Sequence, residues 1–151
     1  MQKSKLDQIK TLRDQTVAPV MDCKMALEEA GGDEKKAKEW LRKKGLTRAA
    51  KKKNQETGDG LIYSYIHSGA KIGAILQLSC QTDFVARNQE FQQLAQEICL
   101  QIVSMNPKNV SVLLKQEYIR DPQKKISDLI DSAIAKFGEN IRVEKFARLA
   151  V

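Results

Sequence analysis

Two runs of alternating apolar and polar residues decide the fold, Leu61-Ile62-Tyr63-Ser64-Tyr65-Ile66 and Ile72-Gly73-Ala74-Ile75-Leu76-Gln77-Leu78. A period of two predicts β-strands, because successive side chains of a strand point to opposite faces of the sheet. The segment between the runs is His67-Ser68-Gly69-Ala70-Lys71, which is short and polar and contains a glycine that can adopt a positive φ. We therefore predict two antiparallel strands joined as a hairpin.

Helical spacing follows the hairpin. Asn88 is suited to cap a helix that ends at Asn106-Pro107, and the apolar positions of this helix are Phe91, Leu94, Ala95, Ile98, Ile102 and Met105. Residues 126–137 repeat the helical pattern and end at Gly138, whereas residues 141–149 carry the alternating charges of an edge strand. We therefore predict an α+β core of about three antiparallel strands packed with helices.

Three short helices are predicted upstream of the hairpin. The first follows the capping pattern Ser4-x-x-Asp7, and the second begins at Pro19, whose missing N–H is tolerated in a first turn. The glycine pair at 31–32 ends the second helix, and the third is predicted to run from its cap at Asp33 to Gly45. The apolar positions of these helices are Leu6, Ile9, Leu12, Val20, Cys23, Leu27, Ala30, Ala37, Trp40 and Leu41.

A polar, glycine-rich segment at 54–60 separates the helical pattern from the strands, which is typical of a linker. We therefore predict two domains, a three-helix bundle with a basic tail at 1–56 and the α+β core at 57–151. Within the core, residues 108–125 show no clear period.

The net charge of +7 is concentrated between Lys35 and Lys53, where ten Lys or Arg residues stand against Glu39 alone. Such a segment either binds nucleic acid or an acidic protein surface, or forms a solvated helical face followed by a basic linker. It lacks the aromatic series of a single-strand binding platform. A small basic RNA-associated binding protein is therefore the alternative to the function inferred below.

No catalytic constellation stands out in the sequence. His67 is the only histidine and falls in the predicted hairpin loop, which disfavours a small hydrolase with a Cys-His or Ser-His-Asp system. Neither phosphate-binding glycine motif, G-x-x-x-x-G-K-[ST] or G-x-G-x-x-G, occurs. Cys23, Cys80 and Cys99 are odd in number and widely spaced, so we expect reduced, buried thiols. We therefore predict that the chain is not an enzyme and holds no cofactor or metal ion.

The segment Cys80-Gln81-Thr82-Asp83-Phe84-Val85-Ala86-Arg87-Asn88 leaves a buried strand and enters a helix within a few residues. Two interpretations of this corner are open on the residues alone. Phe84 can pack in the core while Asp83 caps a helical turn. Alternatively, one of the two side chains faces solvent and contacts a partner.

Three motifs in this order resemble the elongation factor Ts family. The first combines Leu12-Arg13-x-x-Thr16 and Met21-Asp22-Cys23-Lys24-x-Ala26-Leu27 with Gly32-Asp33 and Trp40-Leu41-Arg42-x-x-Gly45. The second is Cys80-Gln81-Thr82-Asp83-Phe84-Val85-Ala86-Arg87, and the third is Ala133-Ile134-Ala135-Lys136-x-Gly138-Glu139-Asn140-Ile141. The family's fold implies an N-terminal three-helix domain similar to ubiquitin-associated domains, followed by antiparallel strands and helices.

The resemblance implies a guanine nucleotide exchange factor that binds elongation factor Tu and does not contact nucleic acid directly. The positions that match the family's docking contacts on factor Tu are Arg13, Val20, Met21 and Lys24. The positions that match the turn inserted beside the partner's nucleotide site are Thr82, Asp83, Phe84 and Val85. In that turn, Phe84 would wedge between helices of the partner, and Asp83 would help to displace its magnesium ion.

The chain departs from the family pattern in three respects. Val17-Ala18-Pro19-Val20 replaces the usual Gly-Ala-Gly-Met, which predicts a stiffer docking loop and a smaller contact at Val20. The segment 106–118 is short where longer members carry a helical hairpin. Only one copy of the core repeat is present, as in short members that supply the second copy by pairing. We therefore predict a homodimer formed through the α+β core.

No apolar run approaches the roughly 20 residues that span a bilayer. The start of the chain, residues 1–6, lacks the apolar stretch of a secretory signal. We therefore expect a cytoplasmic protein that does not enter a membrane.

Overall fold

The computed structural model describes residues 4–16 and 18–151. The predictions made for residues 1–3 and for Val17 lie outside them. The elements in chain order are α1 (Lys5–Thr16), α2 (Val20–Glu29), α3 (Glu34–Lys52), β1 (Asp59–Ile66), β2 (Ile72–Cys80), α4 (Asp83–Ala86), α5 (Gln89–Met105), α6 (Val110–Lys115), β3 (Glu117–Tyr118), β4 (Asp121–Lys125), α7 (Ile126–Phe137) and β5 (Arg142–Ala150).

The predicted caps at Ser4, at Asp33 and at the glycine pair 31–32 are confirmed. The Ser4 hydroxyl accepts a hydrogen bond from the Asp7 N–H at 3.2 Å and donates to the Asp7 carboxylate at 2.7 Å. The Asp33 carboxylate accepts two backbone N–H groups from the first turn of α3. The glycines at 31–32 adopt φ values of +60° and +86°, which end α2.

Helix α3 does not end at Gly45 as predicted, because it continues to Lys52. A Cβ at Gly45 would lie 3.3 Å from the Cβ of Ala135 on α7. The glycine therefore permits a close approach of two helices and does not terminate one.

Two residues on the predicted apolar stripes, Leu6 and Val20, are exposed. Both lie in the first turn of their helix. Trp40, another of the predicted apolar positions, is only half-buried. The cluster that holds the three helices together is built from Leu12, Cys23, Ala26, Leu27, Ala37 and Leu41.

Helix α3 contributes to both hydrophobic clusters of the molecule. Leu41 belongs to the helical cluster, whereas Ala49, two turns later, belongs to the cluster of the α+β core. Lys53, just after α3, pairs with Asp131 of α7 at 2.9 Å. The helical part and the core are thus in direct contact, and the boundary after residue 56 stays a prediction.

Strands β1, β2 and β5 form an antiparallel sheet with β2 in the middle. The predicted hairpin closes with the His67 N–H donating to the Ile72 carbonyl at 2.9 Å, and Gly69 adopts a φ of +87°. Strand β5 lies at an edge of the sheet, as its charges predicted. The predicted fold, an α+β chain with N-terminal helices and a three-stranded sheet, is confirmed.

Helices cover one face of this sheet. Leu76 and Leu78 of β2 are fully buried on that face, where α5 packs. The other face exposes four large apolar side chains, which we call the open sheet face: Ile62, Ile66, Ile75 and Leu149.

The segment 108–125, for which no pattern was found, forms α6 and the small β3–β4 hairpin. Gln101 of α5, which is fully buried, holds this hairpin in place. Its amide donates to the Glu117 carbonyl at 3.0 Å and accepts from the Ile119 N–H at 3.0 Å. These contacts fix the shortened connection on the core.

Within residues 4–16 and 18–151, none of the helices combines the length and the apolar character needed to cross a membrane.

Candidate functional site

The corner between β2 and α5 exposes the side chain of Phe84. Helix α4 makes a single turn there, and Phe84 is 88% exposed, whereas the next residues, Val85 and Ala86, are buried. Phe84 therefore does not pack in the core, which excludes one of the two interpretations of the sequence. Burying a phenylalanine side chain yields about 1.5–3 kcal/mol, a contribution that the corner leaves unused within the chain.

Thr82 caps the short helix and anchors the corner. Its hydroxyl accepts a hydrogen bond from the Val85 N–H at 3.5 Å and donates to Oε1 of Glu139 at 2.5 Å. The N–H groups of Gln81 and Thr82 both donate to Oε2 of Glu139 at 3.0 Å. The backbone that carries Phe84 is thus held by one carboxylate from the loop after α7.

Asp83 begins α4 but does not cap it, since Thr82 occupies the capping position. The Asp83 carboxylate is about half-exposed and pairs with Nε of Arg87 at 2.9 Å. A surface ion pair of this kind contributes little to stability, about 0–1 kcal/mol. Arg87 therefore holds the Asp83 carboxylate only weakly.

Asn140 joins the corner to the segment after α3. Its N–H donates to Oε1 of Gln81 at 2.6 Å. Its side-chain amide donates to the carbonyls of Lys53 at 3.2 Å and Gln55 at 2.6 Å. In the sequence, Glu139 and Asn140 stand out only as part of a family motif, because no local pattern shows which distant backbone groups they contact.

A second exposed set lies on the helical part. Val20 is 47% exposed and Met21 64%, and Arg13 and Lys24 are also exposed. The structure therefore places all four predicted docking residues at the surface of α1 and α2. Thr82, Asp83 and Phe84 are exposed at the separate corner, whereas Val85, the fourth predicted residue there, packs inward.

Asp22 fixes the orientation of α2. Its buried carboxylate accepts a hydrogen bond from Lys44 at 2.9 Å and pairs with Arg48 at 2.6 Å, both on α3. Burial alone would raise the pKa of Asp22, but the Lys44 hydrogen bond and the Arg48 charge outweigh it and hold that pKa below its ordinary value. With Asp22 directed toward α3, its neighbour Met21 faces solvent.

The remaining chemically active side chains are distributed over the structure. Cys23, Cys80 and Cys99 are free and buried, as predicted, and burial raises the pKa of Cys80 to about 11 and that of Cys99 to about 12. The exposed His67 contacts the Tyr65 hydroxyl at 3.0 Å. In the part of the chain that the structure describes, no group of three or more His, Cys, Asp or Glu residues is arranged to hold a metal ion.

Helices packed on a three-stranded antiparallel sheet define the class of this molecule as an α+β protein, and it exposes large apolar side chains on α2 and at the hydrogen-bonded corner. The family model described as "Elongation factor TS" matches residues 81–151. Proteins named "Elongation factor Ts" from Petrotoga mobilis and Leptospira biflexa are similar over nearly the whole chain. The first is 44% identical over 97% of each chain, and the second is 40% identical over 96% of each. A protein of that name from Caldanaerobacter subterraneus is 40% identical over 93% of this chain and 92% of its own.

This chain therefore belongs to the elongation factor Ts family, whose members are translation elongation factors. The alignment with the Petrotoga mobilis protein extends over 191 residues, whereas this chain has 151. That relative thus contributes at least 40 residues without a counterpart here, in agreement with the short length noted in the sequence.

Proposed function

We propose that this protein binds elongation factor Tu in its GDP form and accelerates the release of GDP. The observation that carries the proposal is the 88% exposure of Phe84 on a corner held by Glu139. A large apolar side chain fixed at such a position is suited to enter a gap in another protein. Phe84 would separate structural elements beside the partner's nucleotide site.

Asp83 would act on the partner's nucleotide site in a second way, through its charge. A magnesium ion and a phosphate-binding loop provide much of the affinity of such proteins for their nucleotide. The exposed carboxylate of Asp83 would approach this region and help to displace the ion. No covalent bond is made or broken, and the partner's affinities for nucleotide and for exchange factor oppose each other reciprocally.

The helical part, assigned to residues 1–56, provides the docking affinity in this proposal. Arg13 and Lys24 offer positive charge, and Met21 offers a flexible apolar contact that adapts to the partner's surface. Val20 contributes a smaller apolar area. The core at 57–151 then brings the corner to the nucleotide site.

The open sheet face supports a homodimer in which two cores pack sheet to sheet. Ile62, Ile66 and Leu149 are each more than 60% exposed, which is unusual for large apolar residues on one surface. Two-fold pairing covers such a face with an identical copy, and a stable pair would bury at least ~1,000 Å². The buried cysteines take no part in it.

The function is tested by following a fluorescent GDP analogue as it leaves factor Tu, with and without this chain and with excess unlabelled GDP. We expect release to accelerate with the concentration of the chain and to saturate. A release rate that does not change would refute the exchange function. RNA binding that weakens steeply with salt, without any effect on GDP release, would favour the basic-protein alternative instead.

A further inference from the structure

A single carboxylate, that of Glu139, satisfies the backbone at the exposed corner. Between the end of β2 and the first turn of α4, the N–H groups of Gln81 and Thr82 have no partner within their own elements, and both donate to Glu139. The Thr82 hydroxyl donates to the same group. Hydrogen bonds to a charged acceptor are stronger than neutral ones, so this contact sets the course of the chain at the corner.

The loop that carries Glu139 is itself fixed at both ends. Gly138 ends α7 with a φ of +70°, and Asn140 is buried and donates to the carbonyls of Lys53 and Gln55. The carboxylate is therefore presented from a loop that is hydrogen-bonded to the segment after α3.

We propose that Glu139 is a positioning residue for nucleotide release, which orders the backbone at 81–83 so that Phe84 is presented in one orientation. The proposal rests on the exchange function proposed above. A disordered corner would have to be ordered each time Phe84 acts in the bound complex, which costs conformational entropy and slows release, and a corner that is ordered beforehand avoids that cost. Misplacement of an acting group by 1 Å can reduce a rate about 10²-fold.

The position of Glu139 separates this role from direct contact. Phe84 projects into solvent, whereas the Glu139 carboxylate is turned toward the backbone of residues 81 and 82 and makes three hydrogen bonds there. Glu139 is thus expected to act through Phe84. In Glu139→Gln the amide oxygen can still accept both N–H groups, and the amide NH₂ can donate to the Thr82 hydroxyl.

The test measures GDP release from factor Tu over a range of concentrations for the full chain and its variants. We expect Glu139→Ala to lower the maximal release rate about tenfold, with the half-saturating concentration within about twofold of wild type. Glu139→Gln should retain most of the rate. In a chain that already carries Phe84→Ala, adding Glu139→Ala should lower the rate by clearly less than tenfold, because only the contribution of Asp83 is then left to lose. Glu117→Ala, an exposed glutamate on β3, serves as the matched control.

Each alternative outcome overturns the proposal. If Glu139→Ala has the wild-type maximal rate of GDP release, the corner does not need the hydrogen bonds to Glu139. Equal loss in Glu139→Gln and Glu139→Ala would show that the charge acts directly, and an undiminished loss in the Phe84→Ala background would show that Glu139 does not act through Phe84. If Glu139→Ala does not fold, Thr82→Val removes one of the three contacts and should show a smaller loss of maximal rate, whereas an unchanged rate would contradict the proposal.

Amide hydrogen exchange tests the role of Glu139 independently of the proposed action on GDP release. The N–H groups of Gln81 and Thr82 should exchange about tenfold faster or more in Glu139→Ala than in wild type, whether or not the chain acts on factor Tu. Unchanged hydrogen exchange at the Gln81 and Thr82 amides would overturn the positioning role of Glu139. A wild-type chain that leaves GDP release unchanged overturns only the function.

Discussion

Gly45 on α3 and Ala135 on α7 approach so closely that a Cβ on the glycine would lie 3.3 Å from the Cβ of the alanine. A larger side chain there must push the helices apart. We expect Gly45→Leu to lower the free energy of unfolding by about 1–3 kcal/mol, measured by urea denaturation. Ala50→Leu, on the exposed side of the same helix, should stay within about 0.5 kcal/mol of wild type. Equal losses in both variants would contradict the close packing.

Phe84→Ala should separate stability from function. Because Phe84 is 88% exposed, its removal should change the free energy of unfolding by less than about 0.5 kcal/mol, while the acceleration of GDP release falls steeply. The control is Phe91→Ala, which removes a fully buried ring and should cost about 3–5 kcal/mol. If Phe84→Ala loses that much stability while its folded fraction still accelerates GDP release normally, Phe84 contributes to the stability of the fold and not to nucleotide release.

Met21→Ala tests the docking role of α2. Met21 is 64% exposed, so the fold should be unaffected, and the half-saturating concentration for GDP release should rise severalfold. The maximal rate should change little, because we propose that α1 and α2 dock on factor Tu and that the separate corner at Phe84 acts on its nucleotide site. Met105→Ala, at an exposed methionine at the end of α5, is the matched control. A lower maximal rate with unchanged half-saturation would reverse the assigned roles.

Asp22→Asn should weaken the attachment of α2 to α3. We expect a loss of about 1–3 kcal/mol at pH 7, less than the 3–5 kcal/mol of a fully buried pair because Lys44 and Arg48 are partly exposed.

The pH dependence of this loss has a definite sign. The pKa of Asp22 in the folded protein is held below its ordinary value of 3.8, so its contribution is fully present above that pH and disappears as the pH falls through the folded pKa. The difference between wild type and Asp22→Asn, measured by urea denaturation, should therefore shrink below pH 3.8. A difference that is the same at pH 7 and in acid would show that the charge of Asp22 is not what matters.

Ile62→Lys tests the proposed pairing through the open sheet face. Ile62 is 63% exposed, so a lysine is tolerated in the single chain, but two lysines would face an apolar surface in the pair. Sedimentation at micromolar concentration with reductant should give twice the 17.0 kDa of the chain for wild type and the single-chain mass for the variant. Ile119→Lys, outside this face, should leave the mass of the pair unchanged. A wild-type mass near 17.0 kDa would refute the homodimer.

The features that the sequence predicted correctly are local ones. The β1–β2 hairpin and helix α5 follow from periodicity and turn residues within about twenty positions, and Asn88 caps α5 as expected. The predicted end of α3 at Gly45 is wrong, because a glycine that ends a helix cannot be distinguished in the sequence from one that admits a neighbouring helix. The hydrogen bonds from the corner to Glu139 escaped prediction for the same reason, since they join residues 57 or more positions apart.

Helix α3 spans 19 residues without interruption, a length of about 28 Å at 1.5 Å per residue. One end of it carries the packing of α1 and α2, and the other end is fastened to α7 and to the loop beside the corner. Because a continuous helix keeps its length, α3 holds the surface of α1 and α2 and the corner that carries Phe84 at one spacing. In the proposed complex, a partner that opens or closes around its nucleotide would change the distance between its own contact regions, whereas the spacing set by α3 stays the same. In that complex, only partner conformations whose two contact regions match this spacing could contact both surfaces at once, and α3 would favour those conformations.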